Sequence, residues 1–165
     1  MFNLDNLCRV KVKKLTKTAQ LPTRGSTQAA GWDLYADNAP DESWIISADN
    51  GTLVIAIPAH KTVKIGTGLA MAIEDGWKGV ICPRSGIASK RSLRPANTPG
   101  TIDSDYRGEI IVALHNDSDQ DEIVLPGERI AQICFEQVPV VTWKVVNELS
   151  ETERGTGGFG STGTK

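Results

Sequence analysis

The chain has 165 residues, of which 39% are hydrophobic, and this length and composition predict one domain with a buried core and no second independent domain. Its 18 basic and 20 acidic residues give a net charge of −2, which argues against a protein that coats nucleic acid. We find neither a signal-peptide pattern near the start nor an apolar run of about 18 residues, and the cysteines are far apart. We therefore expect a cytoplasmic protein with free thiols and with no nucleic-acid or membrane partner.

Short β-strands punctuated by Gly and Pro are predicted along most of the chain. Residues 9–15 alternate apolar and basic side chains, the period of a strand with one wet face. No helical period persists long enough to cover a parallel sheet, so we predict an all-β fold, a jelly roll or barrel of mostly antiparallel strands. Further strands are predicted at 52–57, 62–73, 78–82, 109–114, 129–136 and 138–146, with a loop and short strand at 37–51 and one short helix at Ser85–Arg91.

The run Gly100–Gly108 has the sequence Gly-Thr-Ile-Asp-Ser-Asp-Tyr-Arg-Gly. We interpret it as the first arm and bend of a β-hairpin, because glycine permits backbone angles that other residues resist. Asp103 would present a carboxylate that can take a proton from water, and Tyr106 would form a pocket wall. An ordinary polar hairpin with an Asp in its turn explains the run equally well.

Residues 83–86, Pro-Arg-Ser-Gly, lie where a strand ends and the short helix begins. Free helix amides, the Ser85 hydroxyl and the Arg84 guanidinium would point the same way and could bind phosphate. Alternatively, Ser85 is the helix N-cap and Arg84 forms a surface ion pair.

Asp33 is a candidate for burial or ion pairing, because it alternates with apolar residues in the segment 29–36. Residues 127–132 enter a strand from a turn, and Gln132 could bond a ligand oxygen at the strand end. We favour a structural role there, with Arg129 as the ion-pair partner of Asp33.

The last part of the chain changes character at Asn147. We predict residues 1–146 as the core and residues 147–165 as a flexible Gly-rich C-terminal arm. Arg154 and Phe159 have no purpose in a simple linker, and an arm that folds over a ligand could use its amides and hydroxyls to hold phosphate.

Five segments together resemble, in order and spacing, the five motifs of the trimeric deoxyuridine triphosphatases, the dUTPases. They are Ala30–Ala36, Pro83–Gly86, Gly100–Gly108, Gly127–Gln132 and Arg154–Gly163, and they span nearly the whole chain. The resemblance implies a jelly-roll homotrimer with active sites shared between subunits. It also implies hydrolysis of dUTP to dUMP and pyrophosphate with Mg²⁺, which limits uracil in DNA and supplies dUMP for thymidylate synthesis.

The resemblance also implies a role for each matching residue. Asp103 matches the carboxylate that activates the water attacking the α-phosphorus, and Tyr106 matches the ring under the sugar, where a ribose 2′-hydroxyl would clash. Asn97 falls at the position that helps to read uracil. The other implied substrate contacts are Gly100, Thr101 and Ile102 in the third motif, Arg84, Ser85, Gly86 and Gln132 at the phosphates, and Arg154, Phe159, Gly160, Ser161 and Thr162 in the closing arm.

No residue is assigned as a direct magnesium ligand, since Mg²⁺ keeps several waters and binds substrate phosphates. The resemblance leaves Asp33 two roles, in the water shell of the metal or in an ion pair with Arg129. Two features depart from the family pattern near the base: Thr101 replaces a larger apolar residue, and Pro99 stiffens the approach. Residues 37–51 also form a long segment, either a surface feature or a partner-binding insertion.

Two rival functions remain open on the same scaffold. A dCTP deaminase needs a catalytic glutamate on the strand after the hairpin, and that place is Ala113, which cannot shuttle a proton. A non-catalytic, nucleotide-responsive regulatory protein is the other rival. Asp103 and the complete arm argue against it, because a scaffold needs neither.

Overall fold

Eleven strands, one α-helix and one 3₁₀ turn make up the computed structural model, which describes residues 7–158. The 3₁₀ turn, Glu42–Trp44, precedes the third strand, and α1 spans Ser85–Arg91 as predicted. The strands are β1 (Val10–Lys14), β2 (Trp32–Tyr35), β3 (Ile45–Ser47), β4 (Leu53–Ile57), β5 (Thr62–Ile73), β6 (Trp77–Cys82), β7 (Leu93–Pro95), β8 (Gly100–Ile102), β9 (Glu109–Asn116), β10 (Glu122–Val124) and β11 (Arg129–Gln137).

The strands form three sheets in which every pairing is antiparallel. Their strand orders are β1-β5-β9-β7, β2-β11-β6-β8 and β10-β4-β3. The predicted all-β, mostly antiparallel fold is therefore confirmed. Within residues 7–158, no helix has the length and apolar character needed to cross a membrane.

Alternating side chains of the longer strands build the core. In β9, Ile110, Val112 and Leu114 are buried while Ile111 points outward, as the two-residue period requires. Each buried branched side chain contributes about 1.5–3 kcal/mol relative to an exposed one. Leu34 of β2 and Ile133 of β11 belong to the same core, which therefore holds the sheets together.

The segment 37–51 adds a strand to the smallest sheet. Asp41 caps the 3₁₀ turn by accepting hydrogen bonds from the Ser43 amide at 3.0 Å and hydroxyl at 2.6 Å. Trp44 is half-buried against the core, and β3 then pairs with β4. The predicted loop with a short strand is confirmed.

The predicted hairpin at Gly100–Gly108 is wrong. Strand β8 pairs with β6, whereas β9 pairs with β5 and β7, so the two arms lie in different sheets. The run is therefore a connection between sheets. Its turn residues permit a bend, but they do not specify which strand each arm joins.

The strand predicted at 138–146 is also absent from the described residues. The amide of Val138 donates to the carbonyl oxygen of Gly76 at 2.8 Å, and the chain then leaves the sheet. Val140, Trp143 and Val145 are 97%, 91% and 96% exposed. A strand-like apolar pattern needs a partner edge, and no strand within residues 7–158 pairs with this segment.

A bulge interrupts the pairing of β5 with β9 between Gly66 and Ala70. Gly68 lies in this bulge with φ +64°, a left-handed conformation that non-glycine residues adopt at a cost of about 1–2 kcal/mol. A Cβ atom at position 68 would also lie 2.7 Å from side-chain atoms of Thr16, Ala19 and Asp37. Glycine is thus required there for two separate reasons.

We expect Gly68→Ala to lower the free energy of unfolding by about 1–3 kcal/mol more than Gly76→Ala does, because crowding adds to backbone strain only at position 68. Gly76 is the matched control, since its φ is +80° and nothing lies within 4 Å of an added Cβ. Urea unfolding at equal protein concentration measures both variants. Equal losses would show that the bulge yields to a methyl group.

Candidate active site

A small cavity of about 150 Å³ lies beside β8 at the start of β9. Asp103 follows β8 directly, and its side chain is exposed to solvent. The carbonyl oxygen of Asp103 accepts the Tyr106 amide at 3.2 Å, which closes the turn between them. The cavity is lined by Thr101, Ile102, Asp103, Tyr106, Glu109 and Ile111.

The Tyr106 ring is held across this turn. Its hydroxyl donates to the carbonyl oxygen of Glu109 at 3.0 Å. A Cβ atom at position 108 would lie 2.3 Å from the Tyr106 hydroxyl oxygen, so Gly108 leaves the space that the ring occupies. A larger residue at position 108 would displace the wall of the cavity.

Asn97 lies in the exposed turn that leads from β7 to β8. Its side-chain nitrogen would be 3.3 Å from a Cβ atom at position 100, where Gly100 opens β8. Strand β8 is also the last strand of its sheet, bonded to β6 on one side only among the described strands. The other edge of β8 therefore presents main-chain donors and acceptors beside Asn97.

The first, second and fourth sequence segments meet at Asp33. This residue is 9% exposed, and the predicted ion pair is present, with Arg129 Nη1 3.1 Å from Oδ2. Arg84 Nε donates to Oδ1 at 2.6 Å, so the alternative in which Arg84 forms an ion pair is present, with a partner that sequence reasoning did not name. Both carboxylate oxygens of Asp33 therefore accept hydrogen bonds from guanidinium groups.

Strand pairing explains this meeting. Gln132 of β11 is opposite Asp33 on one side and Cys82 of β6 on the other. Arg84 follows the end of β6, so its side chain reaches the carboxylate on β2 across the intervening strand. Neighbouring strands thus bring together residues that are 51 positions apart in the sequence.

Gln132 has a positioning contact of its own. Its side-chain nitrogen donates to the carbonyl oxygen of Pro83 at 2.9 Å, which ties β11 to the start of the helix. A Cβ atom at position 31 would lie 2.1 Å from the Gln132 side-chain oxygen, so Gly31 leaves room for the amide. The sequence predicts a structural role for residues 127–132, and the hydrogen bond from Gln132 to Pro83 is such a role.

Ser85 is the first residue of α1, whereas Arg84 occupies the N-cap position without a side-chain capping bond. The alternative in which Ser85 is the N-cap is therefore wrong. Nothing lies within 4 Å of an added Cβ at Gly86, so this turn is open to an approaching group.

Arg154 is not among the residues that line the cavity or that bond to Asp33. Its Nε donates to the carbonyl oxygen of Gly157 at 2.9 Å, within a local turn of the chain. Phe159, Gly160, Ser161 and Thr162 fall outside the described residues.

Burial raises the pKa of the Cys134 thiol, and the adjacent Cys82 thiol acts in the same direction. Cys134 lies two residues beyond Gln132 on β11. A thiol with a raised pKa is a poor nucleophile at neutral pH. We therefore assign it no part in the chemistry of this site.

The sequence matches the dUTPase family over residues 17–163. The chain belongs to the dUTPase family. A deoxyuridine 5′-triphosphate nucleotidohydrolase of Nautilia profundicola is 45% identical over 157 residues, covering 94% of this chain and 99% of that protein. The corresponding protein of Syntrophotalea carbinolica is 44% identical over 154 residues, covering 93% and 96%.

A solved structure of the Staphylococcus bacteriophage 80alpha dUTPase with dUPNHPP has a similar fold. Its TM-score is 0.76 and its identity 26%, and the match covers 94% of this chain and 99% of the phage chain. The likeness to this dUTPase supports the jelly-roll type of fold predicted from the family resemblance.

Glu109 and Ile111 are the cavity residues that sequence reasoning missed. The alternation in β9 shows that both point away from the core. It does not show which cavity they face, because that depends on the position of β8.

We expect Asp33→Asn to lower the free energy of unfolding by about 2–3 kcal/mol, because two guanidinium groups would lose their anionic partner. The value is below that of a fully buried pair, since the Arg129 side chain is 50% exposed. Chemical denaturation measures the change. Asp49→Asn, at an exposed position, is the matched control and should stay within about 0.5 kcal/mol of wild type. Similar small effects in both variants would contradict the ion-pair argument.

Proposed function

We propose that this chain hydrolyses dUTP to dUMP and pyrophosphate, with the nucleoside in the cavity beside β8. The observation that carries the proposal is the position of Asp103, an exposed carboxylate at the rim of a cavity walled by Tyr106, in a chain of the dUTPase family. The named relatives of Nautilia and Syntrophotalea are deoxyuridine 5′-triphosphate nucleotidohydrolases.

The open edge of β8 suits uracil. Uracil presents one N–H donor between two carbonyl acceptors, and the main chain of Gly100–Ile102 can pair with such a pattern. Cytosine reverses part of that pattern and would leave a polar group unpaired, which discriminates strongly. Asn97 is close enough to Gly100 to add a side-chain hydrogen bond.

Tyr106 selects the sugar of the nucleotide, and Asp103 carries out the proton transfer. The ring lies against the sugar and leaves no room for a 2′-hydroxyl, which favours deoxynucleotides. The Asp103 carboxylate accepts a proton from a water molecule aligned with the α-phosphorus, and pyrophosphate leaves. An exposed carboxylate is well placed for this step because water reaches it directly.

The phosphates would lie toward Arg84, Ser85, Gly86 and Gln132. Arg84 uses Nε for Asp33, and a guanidinium has further N–H donors that can bind phosphate oxygens. The Asp33 carboxylate and the carbonyl oxygen of Arg129, which accepts Arg84 Nη1 at 3.4 Å, hold the guanidinium in place, which supports a positioning role for Asp33.

Magnesium fits this site as a partner of the substrate. Within residues 7–158, no cluster of three or more His, Cys, Asp or Glu side chains could hold a metal ion. The lack of such a cluster among these residues does not count against magnesium, because Mg²⁺ usually binds nucleotides through phosphate oxygens and water. When bound, the ion neutralises phosphate charge as it develops during cleavage.

We further propose that the enzyme is a homotrimer with shared sites. Val138–Val146 carries exposed apolar side chains, and the outer edge of β1 has no partner among the described strands. A largely apolar groove of about 600 Å³ opens beside β1, lined in part by Val10, Val12, Trp32 and Trp77. A neighbouring subunit's 138–146 segment would bury both surfaces.

In this arrangement residues 1–146 form the core and residues 147–165 form the arm. The arm would place Arg154, Phe159, Gly160, Ser161 and Thr162 over a bound nucleotide. The cationic side chain would neutralise the terminal phosphates and the ring would stack on the base. Closure would exclude water other than the attacking molecule.

We expect Asp103→Asn to lower kcat for dUTP by about 10²–10⁴-fold, because an amide cannot accept the proton. Binding of a non-hydrolysable dUTP analogue should change little, since the shape of the cavity is kept. Pyrophosphate release with Mg²⁺ measures the first quantity and calorimetry the second. Asp105→Asn, an exposed carboxylate in the same turn, is the control and should retain turnover.

Undiminished turnover by Asp103→Asn would reject the assignment of the base. A wild-type protein that releases no pyrophosphate from dUTP would reject the function itself. Ammonia released from dCTP would instead favour the deaminase.

We expect a chain that ends before Arg154 to remain a folded trimer and to lose efficient hydrolysis, because it lacks the closing residues. A chain that ends at Gln137 should also lose the trimer, since it lacks the apolar segment. Light scattering after gel filtration measures mass, and pyrophosphate release measures activity. Full activity of the first truncated chain, or an active wild-type monomer, would contradict the shared-site arrangement.

A further inference from the structure

Glu109 makes a side-chain contact outside the cavity that it lines. Its Oε1 accepts the amide of Gly68 at 2.7 Å, across the bulge between β5 and β9. A bulge removes local amides from the ladder, and a part-buried amide left without an acceptor destabilises the fold. The carboxylate therefore replaces a missing ladder bond.

The Glu109 carboxylate is closely confined. A Cβ atom at position 66 would lie 2.4 Å from Oε1 and 3.0 Å from the carboxyl carbon, so Gly66 leaves the space that the carboxylate occupies. The bulge itself is anchored on both sides. The Leu15 amide donates to the Gly68 carbonyl oxygen at 2.7 Å, and the Thr67 hydroxyl donates to the Ile110 carbonyl oxygen at 2.8 Å.

The main chain of the same residue holds the cavity wall. The Glu109 carbonyl oxygen accepts the Tyr106 hydroxyl at 3.0 Å, and Gly108 leaves the space beneath the ring. The side chain of Glu109 thus bonds to an anchored bulge, and its carbonyl bonds to the ring. A shift of the first strand residue of β9 would move the acceptor of the Tyr106 hydroxyl.

We propose that Glu109 is a positioning residue that holds the Tyr106 ring where it rejects a 2′-hydroxyl. The inference rests on the proposed function, because it concerns selection between dUTP and UTP at that site. The carboxylate anchors the start of β9 to Gly68, which keeps the carbonyl and therefore the ring in place. Glu109 itself touches no reacting atom in this scheme.

Three variants test the proposal. Glu109→Ala removes the acceptor, and we expect the ratio of kcat/KM for dUTP over UTP to fall about tenfold, the effect of one lost hydrogen-bonded support. The KM for dUTP should rise more than kcat falls, because Asp103 is not disturbed. Glu109→Gln keeps a side-chain oxygen acceptor and should restore most of the ratio. Tyr106→Phe removes the hydroxyl bond and should lower the ratio by a similar factor.

The control and a second readout separate positioning from simple stability. Glu136→Ala removes an exposed carboxylate near Lys78 on the neighbouring strand and should leave the ratio unchanged. Amide hydrogen exchange at Gly68 should become faster in Glu109→Ala and stay slow in Glu109→Gln. This measurement does not depend on activity.

An unchanged dUTP/UTP ratio in Glu109→Ala, together with faster exchange at Gly68, would overturn the proposal, since the anchor would be lost without effect on the ring. If Glu109→Ala does not fold, Tyr106→Phe is the deciding variant. A wild-type ratio of kcat/KM for dUTP over UTP in Tyr106→Phe would also overturn the proposal. The two failures can be told apart in the wild-type protein. If it does not hydrolyse dUTP while the Gly68 amide exchanges slowly, the anchor is present and the proposed function is wrong.

Discussion

Among the strands of residues 7–158, β8 hydrogen-bonds to β6 along one edge and has no partner on the other, and the candidate site depends on this pairing. The chain must cross from one sheet to another after Ile102, because β9 pairs with β5 and β7. That crossing holds Asp103 and Tyr106 in a tight turn and opens a cavity between the sheets. A simple hairpin would have used the free edge of β8 for β9 and left no main-chain groups for a base.

The second constraint is the buried carboxylate of Asp33. Taking a charge out of water is costly, and two guanidinium groups offset that cost here. The arrangement also restricts Arg84, a long side chain that would otherwise lose more freedom on binding phosphate. Structural and functional interpretations of this cluster are therefore compatible, because the ion pairs that stabilise it also hold in place the guanidinium that we propose binds phosphate.

Residues 138–146 carry apolar side chains that one subunit leaves exposed. Val140, Trp143 and Val145 are almost fully exposed, and contiguous exposed apolar side chains of this kind mark interaction surfaces. None of the three belongs to the buried core, whose side chains come from α1, from strands β2, β4, β5, β6, β7, β9, β10 and β11, and from the segments between them. Assembly and arm closure are thus properties that the proposal assigns to several copies of the chain, whereas the cavity beside β8 is built within one.

The sequence by itself determined the strand periods, the helix at Ser85–Arg91 and the residue types of the site, because these depend on neighbours close along the chain. Only the tertiary structure decided that β8 joins β6, that Asp33 serves two arginines and that Glu109 bonds to Gly68. Asp33 and Arg129 are 96 residues apart in the sequence, and no local pattern predicts that their side chains are in contact. The physical reason is that strand edges and charged groups accept many partners, and the path of the whole chain selects among them.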